Sequence, residues 1–188
     1  MDLFYRFRGW WVSALFVLAL WVGLGCIPFA WFWLLGLVPA IALRIWARSH
    51  IGTHTRGAVL AAPALARNGP YALLRHPLYL SNILLSCAIL GFWLGGGLWL
   101  LAFLVGLGGF YFYLAKKEDG FLQKSFGDIW SKYCNDVPGG LIPRSLHVKS
   151  APAERTIVQA VWGDLWTWIW LALSIGVLVV LRGISCTG

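Results

Sequence analysis

Long apolar stretches, separated by two polar segments, dominate the pattern of hydrophobic and polar positions along this chain. Residues 9–43 contain no charged side chain, and residues 78–115 contain none either. One transmembrane helix takes roughly 17–25 residues, so each stretch is long enough for two crossings with a glycine-containing break between them. The predicted helices cover about residues 10–24, 28–46, 78–90 and 98–114.

A third apolar stretch, residues 156–181, contains one charged residue, Asp164. Tryptophans crowd its start, which is typical of the aromatic belt where a helix enters a bilayer. We therefore expect a C-terminal transmembrane helix at about residues 160–181, with Asp164 solvated near the interface. A buried functional carboxylate is the alternative interpretation of Asp164. The fold class predicted from these stretches is an all-α integral membrane protein with about five transmembrane helices, which form a single domain over residues 1–188.

The composition agrees with a membrane protein. Hydrophobic residues make up 60% of the chain and charged residues 12%, which is about half the charged fraction of soluble domains. The net charge of +8 does not indicate nucleic-acid binding, because the basic residues flank the apolar spans and follow the positive-inside rule. That rule places the amino terminus and both polar segments in the cytoplasm, and the carboxyl terminus with Arg182 on the opposite side.

Neither the cysteines nor the histidines predict a metal site or a disulfide. The four cysteines are scattered without paired spacing, which indicates small apolar fillers. His50 and His54 stand four residues apart, but Gly52 and the threonines beside them disfavour a helix, and no acidic third ligand is near. We expect both histidines to be solvated or to face lipid headgroups.

The first polar segment, residues 68–80, joins a Gly-Pro turn to Arg75 and His76. Pro77 disfavours helical geometry at His76, so the two side chains are presented at a bend where a helix enters the membrane. Backbone groups freed by such a bend need partners at membrane depth, and a polar ligand is one source of them. The alternative interpretation is a plain helix start whose Arg and His face lipid headgroups.

The second polar segment, residues 116–144, begins where the fourth helix leaves the membrane and carries Glu118 and Asp119. Apolar residues recur at helical spacing over residues 121–133, which predicts an amphipathic helix that lies on the membrane surface or caps the bundle. Five crossings bring both polar segments to the same membrane face, so we interpret them as halves of one site. In the fourth helix, Gly106, Gly108 and Gly109 serve either close helix packing or a gap for a lipid chain or cofactor.

Together the two segments form a longer pattern. Gly-Pro-Tyr-x-x-x-Arg-His-Pro-x-Tyr, a helical hairpin, and then Glu-Asp-x-x-Leu-x-x-x-Phe-Gly-x-x-Trp-x-x-Tyr-x-x-x-Val-Pro-x-x-x-Pro follow one another over about residues 65–144. This order and spacing resemble the isoprenylcysteine carboxyl methyltransferase and phospholipid methyltransferase superfamily. Its members are small integral-membrane enzymes that use S-adenosylmethionine. The resemblance implies cytoplasmic polar loops that form a cofactor site, and methyl transfer to a hydrophobic or lipid-like carboxylate or amine.

The resemblance also implies roles for particular residues. The segment through the Arg-His-Pro motif wraps the cofactor in family members, and Glu118 matches the acidic residue that contacts it. Asp119 matches a second acidic position. No catalytic residue is assigned, although His76 is a candidate to take a proton from an amine acceptor. The expected cofactor-binding residues are Leu65, Ala66, Tyr71, His76, Pro77, Leu78, Tyr79 and Glu118, with no metal.

Three positions depart from the family pattern, and two other interpretations stay open. Ser81 replaces a glycine, Leu114 replaces an arginine that helps the prenylcysteine enzymes hold their substrate, and Trp130 replaces a tyrosine. The tail from Tyr133 to Pro138 also resembles NADPH-dependent membrane reductases of the sterol reductase type. A non-enzymatic membrane scaffold or lipid-binding protein is the third interpretation. The sequence does not predict the methyl acceptor or the oligomeric state.

Overall fold

The computed structural model describes residues 8–23, 30–51, 65–143 and 152–187. Within these ranges every regular element is helical and no strand occurs, so the predicted all-α class is confirmed. The polar segment before the third helix contains a short 3₁₀ turn, Gly69–Ala72, and another 3₁₀ turn, Trp31–Gly36, leads into α2. The α-helices are α1 Arg8–Val22, α2 Leu37–Ser49, α3 Pro77–Leu94, α4 Gly97–Phe126, α5 Asp128–Asp136, α6 Ile157–Trp162 and α7 Leu165–Thr187.

Four segments of the described chain are long and apolar enough to cross a membrane. They are Trp31–Ser49, Pro77–Leu94, Gly97–Phe126 and Leu165–Ile184. The apolar helix at Gly9–Val22 is shorter than a usual crossing. The protein is therefore an all-α membrane protein, while a fifth crossing and the sidedness of the helices stay predictions.

Successive long helices run in alternate directions between two ends of a bundle. The turn between α3 and α4 is short, because Gly95 (φ 70°) and Gly96 (φ 117°) adopt backbone conformations that other residues avoid. We call the end that holds Ser49, His76 and Glu118 the polar end of the bundle. The opposite end, which we call the Trp93 end, lies near the turn between α3 and α4.

Trp93 joins three helices at its end of the bundle. Its indole Nε1 donates a hydrogen bond of 3.0 Å to the Ala19 carbonyl in α1. The Arg182 guanidinium from α7 lies 4.1 Å from the ring centroid and donates to the Trp93 carbonyl at the end of α3. Gly23 is required beside this ring, because a Cβ there would lie 2.0 Å from the indole nitrogen.

The polar part of α4 extends further than the sequence predicted. The helix continues from the membrane to Phe126, and the expected amphipathic helix is divided at Gly127, whose φ of 51° ends α4. The second piece, α5, is amphipathic as expected, because Trp130 and Tyr133 are buried while most of its other side chains are exposed.

The glycines of α4 do not serve close packing within the described chain. A Cβ added at Gly106, Gly108 or Gly109 would meet no atom within 4 Å. The sequence analysis left two uses open for these glycines. The first, close packing of α4 against another helix, does not occur with any described part of this chain. The three glycines leave an open notch on the outer surface of α4.

Candidate functional site

The Arg-His-Pro motif is held in place by the segment that follows α5. The backbone N–H of Arg75 donates to the Gly139 carbonyl at 2.9 Å, and that of His76 donates to the Gly140 carbonyl at 3.1 Å. Pro77 then occupies the first turn of α3, where its missing N–H costs no hydrogen bond. The motif is thus an extended bend that pairs with the Val-Pro-Gly-Gly tail, about 64 residues later in the chain.

The imidazole of His76 lies between two carboxylates of α4. Asp119 Oδ1 is 2.8 Å from His76 Nε2, and Glu118 Oε2 is 3.5 Å from Nδ1. The His76 side chain is only 4% exposed, whereas that of Glu118 is 31% exposed. The two polar segments therefore meet at one imidazole, as the sequence predicted, and Asp119 makes the closer contact of the two acids.

These contacts favour the protonated imidazole. Burial lowers the pKa of His76, but the hydrogen bonds to Asp119 and Glu118 and their negative charges outweigh it and raise the pKa to about 8. At neutral pH both ring nitrogens therefore act as donors, one toward each carboxylate.

Arg75 joins the same cluster from the other side. Its Nη2 donates to Asp119 Oδ2 at 3.3 Å and its Nη1 to the Val137 carbonyl at 3.2 Å. The guanidinium also lies 6.0 Å from the centroid of the buried Trp130 ring. One donor of this cluster, its Nε, is thus buried without an acceptor among the described residues.

Two buried tyrosines, Tyr71 and Tyr133, connect the segment before the Arg-His-Pro motif to α5. The Tyr133 hydroxyl donates to the Tyr71 carbonyl at 2.6 Å, which fixes α5 to the Gly-Pro-Tyr turn. Burial, with a further contribution from Glu118, raises the pKa of the Tyr71 phenol far above its usual range, so it stays neutral. Gly69 begins this turn with φ 59°, and a Cβ there would lie 2.6 Å from the His50 ring.

The structure places the predicted cofactor residues around this cluster. Tyr79 stacks on the His76 ring with centroids 5.5 Å apart. Ala66 and Leu78 pack with Tyr71 in one apolar cluster, and Leu65 packs with Trp130 and Tyr133 in another. Tyr71, His76 and Pro77 are buried, while the more accessible members of the set are Leu65, Ala66, Leu78, Tyr79 and Glu118.

The prediction that Asp164 is solvated is wrong. The residue is 2% exposed, and its carboxylate pairs with Arg44 Nε and lies 3.9 Å from Arg48 Nε. Arg44 also donates to Thr167 in α7 at 3.0 Å and to Asn82 in α3. The sequence signal for this cluster was an acid inside an apolar stretch, since such residues are usually paired.

His50 is also more buried than the sequence predicted. It is 9% exposed, and its Nδ1 lies 3.0 Å from both the Trp46 carbonyl and Ser49 Oγ. Local partners at the end of α2 therefore replace the expected solvent. His54 lies outside the described residues, among which no group of three His, Cys, Asp or Glu is placed to hold a metal ion.

The three departures from the family pattern have local physical reasons. Ser81 is fully buried, and its hydroxyl donates to the Ala40 carbonyl at 3.0 Å, which fastens α3 to α2. Leu114 belongs to an apolar cluster with Leu107 and Tyr111, an environment that would not suit an arginine. Trp130 supplies the buried ring beside Arg75.

The arrangement as a whole is an ion cluster with two partly exposed carboxylates, of which Glu118 is the more exposed. It can offset a positive charge through Glu118 and accept hydrogen bonds there, while Arg75 offers a buried donor.

Comparison of the chain with protein-family models, with curated proteins and with solved structures finds no match.

Proposed function

We propose that the chain is an S-adenosylmethionine-dependent membrane methyltransferase, which acts on a hydrophobic or lipid-like acceptor at the cytoplasmic face. One observation carries the proposal. The two halves of the motif pattern, 43 residues apart between His76 and Asp119, meet at one buried imidazole. A plain helix start and a plain solvated helix end, the alternative interpretations of the two halves, do not require this contact.

The side chains at the polar end suit a sulfonium ligand that also carries an amino and a carboxylate group. Glu118 is exposed enough to accept hydrogen bonds from ribose hydroxyls or to offset an ammonium charge. The buried Nε of Arg75 lacks an acceptor among the described residues, and a carboxylate is the acceptor that pairs best with a guanidinium. The half-buried faces of Leu78 and Tyr79 lie next to these polar groups.

S-adenosylmethionine, when bound, supplies an electrophilic methyl group on a positively charged sulfur. The role of the protein is to align the acceptor with this methyl group and to exclude water. Both effects lower the activation free energy of methyl transfer without a covalent intermediate on the protein. His76 holds Glu118 and Asp119 in place. Because its pKa is about 8, it is a poor proton acceptor at neutral pH, so an amine acceptor would lose its proton elsewhere.

Ligand-dependent thermal stability tests the proposal. The full chain, purified in detergent, is heated with S-adenosylmethionine, S-adenosylhomocysteine or NADPH, and the unfolding midpoint is recorded. A ligand that binds only the native state raises the midpoint by an amount set by its concentration relative to Kd. We expect both adenosyl ligands to raise it, and Glu118→Ala to abolish the shift.

The matched control is Glu154→Ala, which removes an exposed glutamate that is not part of the His76 ion cluster and should keep the shift. A shift with NADPH alone would favour the membrane reductase instead. If no ligand shifts the midpoint, the proposal fails and the scaffold interpretation takes its place.

A further inference from the structure

The polar extension of α4 separates its charges onto two faces. Glu118 and Asp119 turn inward, where His76 and Arg75 contact them. Lys116, Gly120 and Lys124 are spaced four residues apart and share an exposed face. The inner face of this helix is therefore a balanced ion cluster, and the outer face is cationic.

The outer face forms a shallow groove. Its lining consists of Lys116, Lys117, Gly120, Phe121 and Lys124. Gly120 has no side chain, and a Cβ there would meet nothing within 4 Å, so the floor between the lysines is open. Three ammonium groups thus surround a small depression to which the lining contributes no acidic side chain.

Two lysines place their charges at the level where α4 leaves the apolar region. Lys116 Nζ lies 5.6 Å from the Phe112 ring centroid, and Lys117 Nζ lies 5.5 Å from that of Tyr113. Both rings are exposed, at 58% and 39%. Tyrosine is enriched in the interfacial layer that holds lipid headgroups, so Tyr113 near the end of the apolar stretch indicates the level of that layer. The two ammonium groups lie beside these rings and so at the same level.

We propose that this groove binds the phosphate headgroup of an anionic membrane lipid. The charge is complementary, the depth matches the headgroup layer, and the exposed rings of Phe112 and Tyr113 lie where the first acyl carbons would run. The inference concerns the outer face of α4 and does not depend on the proposed methyl transfer.

A lipid titration tests this site. Phosphatidylglycerol is added to the detergent-purified full chain, and the unfolding midpoint is followed beside phosphatidylcholine of the same acyl chains. We expect only phosphatidylglycerol to raise the midpoint. Each lysine near an anionic surface contributes enough to change the apparent affinity about fivefold, so K116Q/K117Q/K124Q should weaken it about 100-fold.

Matched variants separate the groove from general electrostatics. Lys124 and Lys132 are both exposed, and removing either one changes the net charge equally, but only Lys124 lines the groove. K124Q should weaken phosphatidylglycerol binding and K132Q should not. The charge-retaining variant K116R/K117R/K124R should keep the binding, which guards against loss of fold in the triple glutamine variant.

Three outcomes would overturn the proposal. They are an undiminished response of the triple glutamine variant, an equal loss with K132Q and K124Q, and an equal midpoint shift with glycerol phosphate, which has the headgroup chemistry but no acyl chains.

Discussion

His76 lies at the centre of an ion cluster at the polar end. Glu118 and Asp119 bind its two nitrogens, Tyr79 stacks on its ring, and Arg75 precedes it and shares Asp119. The carboxylates hold more negative charge than Arg75 alone offsets, so the protonated ring completes the balance. The ring is therefore part of the fold as well as part of the proposed site.

This balance predicts a pH-dependent contribution to stability. The folded-state pKa of about 8 exceeds the ordinary value of 6.5. The stabilisation is therefore fully present below pH 6.5 and is lost as the pH rises through 8. Its size is about 2 kcal/mol, from about 1.4 kcal/mol per pKa unit.

Unfolding of the wild type and of His76→Gln at about pH 6 and about pH 9 measures this contribution. The difference in unfolding free energy between the two proteins should shrink at the higher pH. A difference that is the same at both pH values would contradict the assignment.

At the scale of elements, Asp164 fastens the start of α7 to two other helices. Its carboxylate pairs with Arg44, which also reaches Asn82 in α3, and Arg48 donates to the Gly163 carbonyl at 2.9 Å. Apart from this cluster, α7 is mostly exposed, since only 11% of its membrane-spanning window is buried. The position of the last helix against the polar end depends on few contacts.

Asp164→Asn should therefore destabilise the protein strongly. Removing one partner leaves two buried guanidinium groups without their carboxylate, which typically costs about 3–5 kcal/mol. The measurement is chemical unfolding in detergent beside Asp128→Asn, an exposed aspartate in the first turn of α5, which should change stability by less than about 1 kcal/mol. Equal effects of the two variants would show that the ion cluster contributes little.

The helices were predictable from the sequence because charge-free stretches leave few alternatives to a membrane helix. The meeting of His76 with Glu118 and Asp119 was predictable for a related reason. A helical hairpin brings the residue before α3 and the polar end of α4 to the same end of the bundle. The break at Gly127 was missed because an isolated glycine within an amphipathic pattern does not by itself end a helix.

Other long-range polar contacts were not predictable from the sequence. The pairing of Arg75 and His76 with Gly139 and Gly140 uses backbone atoms, which any residues could supply. Asp164 was predicted to be solvated because it stands among tryptophans, which are typical of a membrane interface. Its actual partners are arginines of α2, more than 100 residues earlier in the chain. Such contacts depend on which helices become neighbours, which periodicity does not specify.

At the scale of the whole molecule, the bundle has a polar end and a Trp93 end. The polar end carries the ion clusters, and at the other end Arg182 is buried against Trp93 and satisfies the carbonyl at the end of α3. Charge counting predicts that the polar end lies in the cytoplasm.

Epitope tags test this orientation. A tag inserted between Gly95 and Gly96 lies in the turn at the Trp93 end, and one inserted between Gly127 and Asp128 lies at the polar end. We expect antibody to reach the first tag in intact cells and the second only after the membrane is permeabilised. The reverse pattern would place the proposed cofactor site on the wrong side for a cytoplasmic ligand.

The uninterrupted length of α4 links the ion cluster to the thickness of the bilayer around the protein. The helix begins at Gly97 and runs without interruption past Glu118, a rise of about 32 Å at 1.5 Å per residue. That length is close to the hydrocarbon thickness of a typical bilayer, about 30 Å. The height of Glu118 above the apolar layer is thus fixed by the acyl chains around the protein. A thicker bilayer would draw this carboxylate toward the hydrocarbon or make α4 stand more upright, so the acyl-chain length of the host membrane sets how much water reaches the ion cluster.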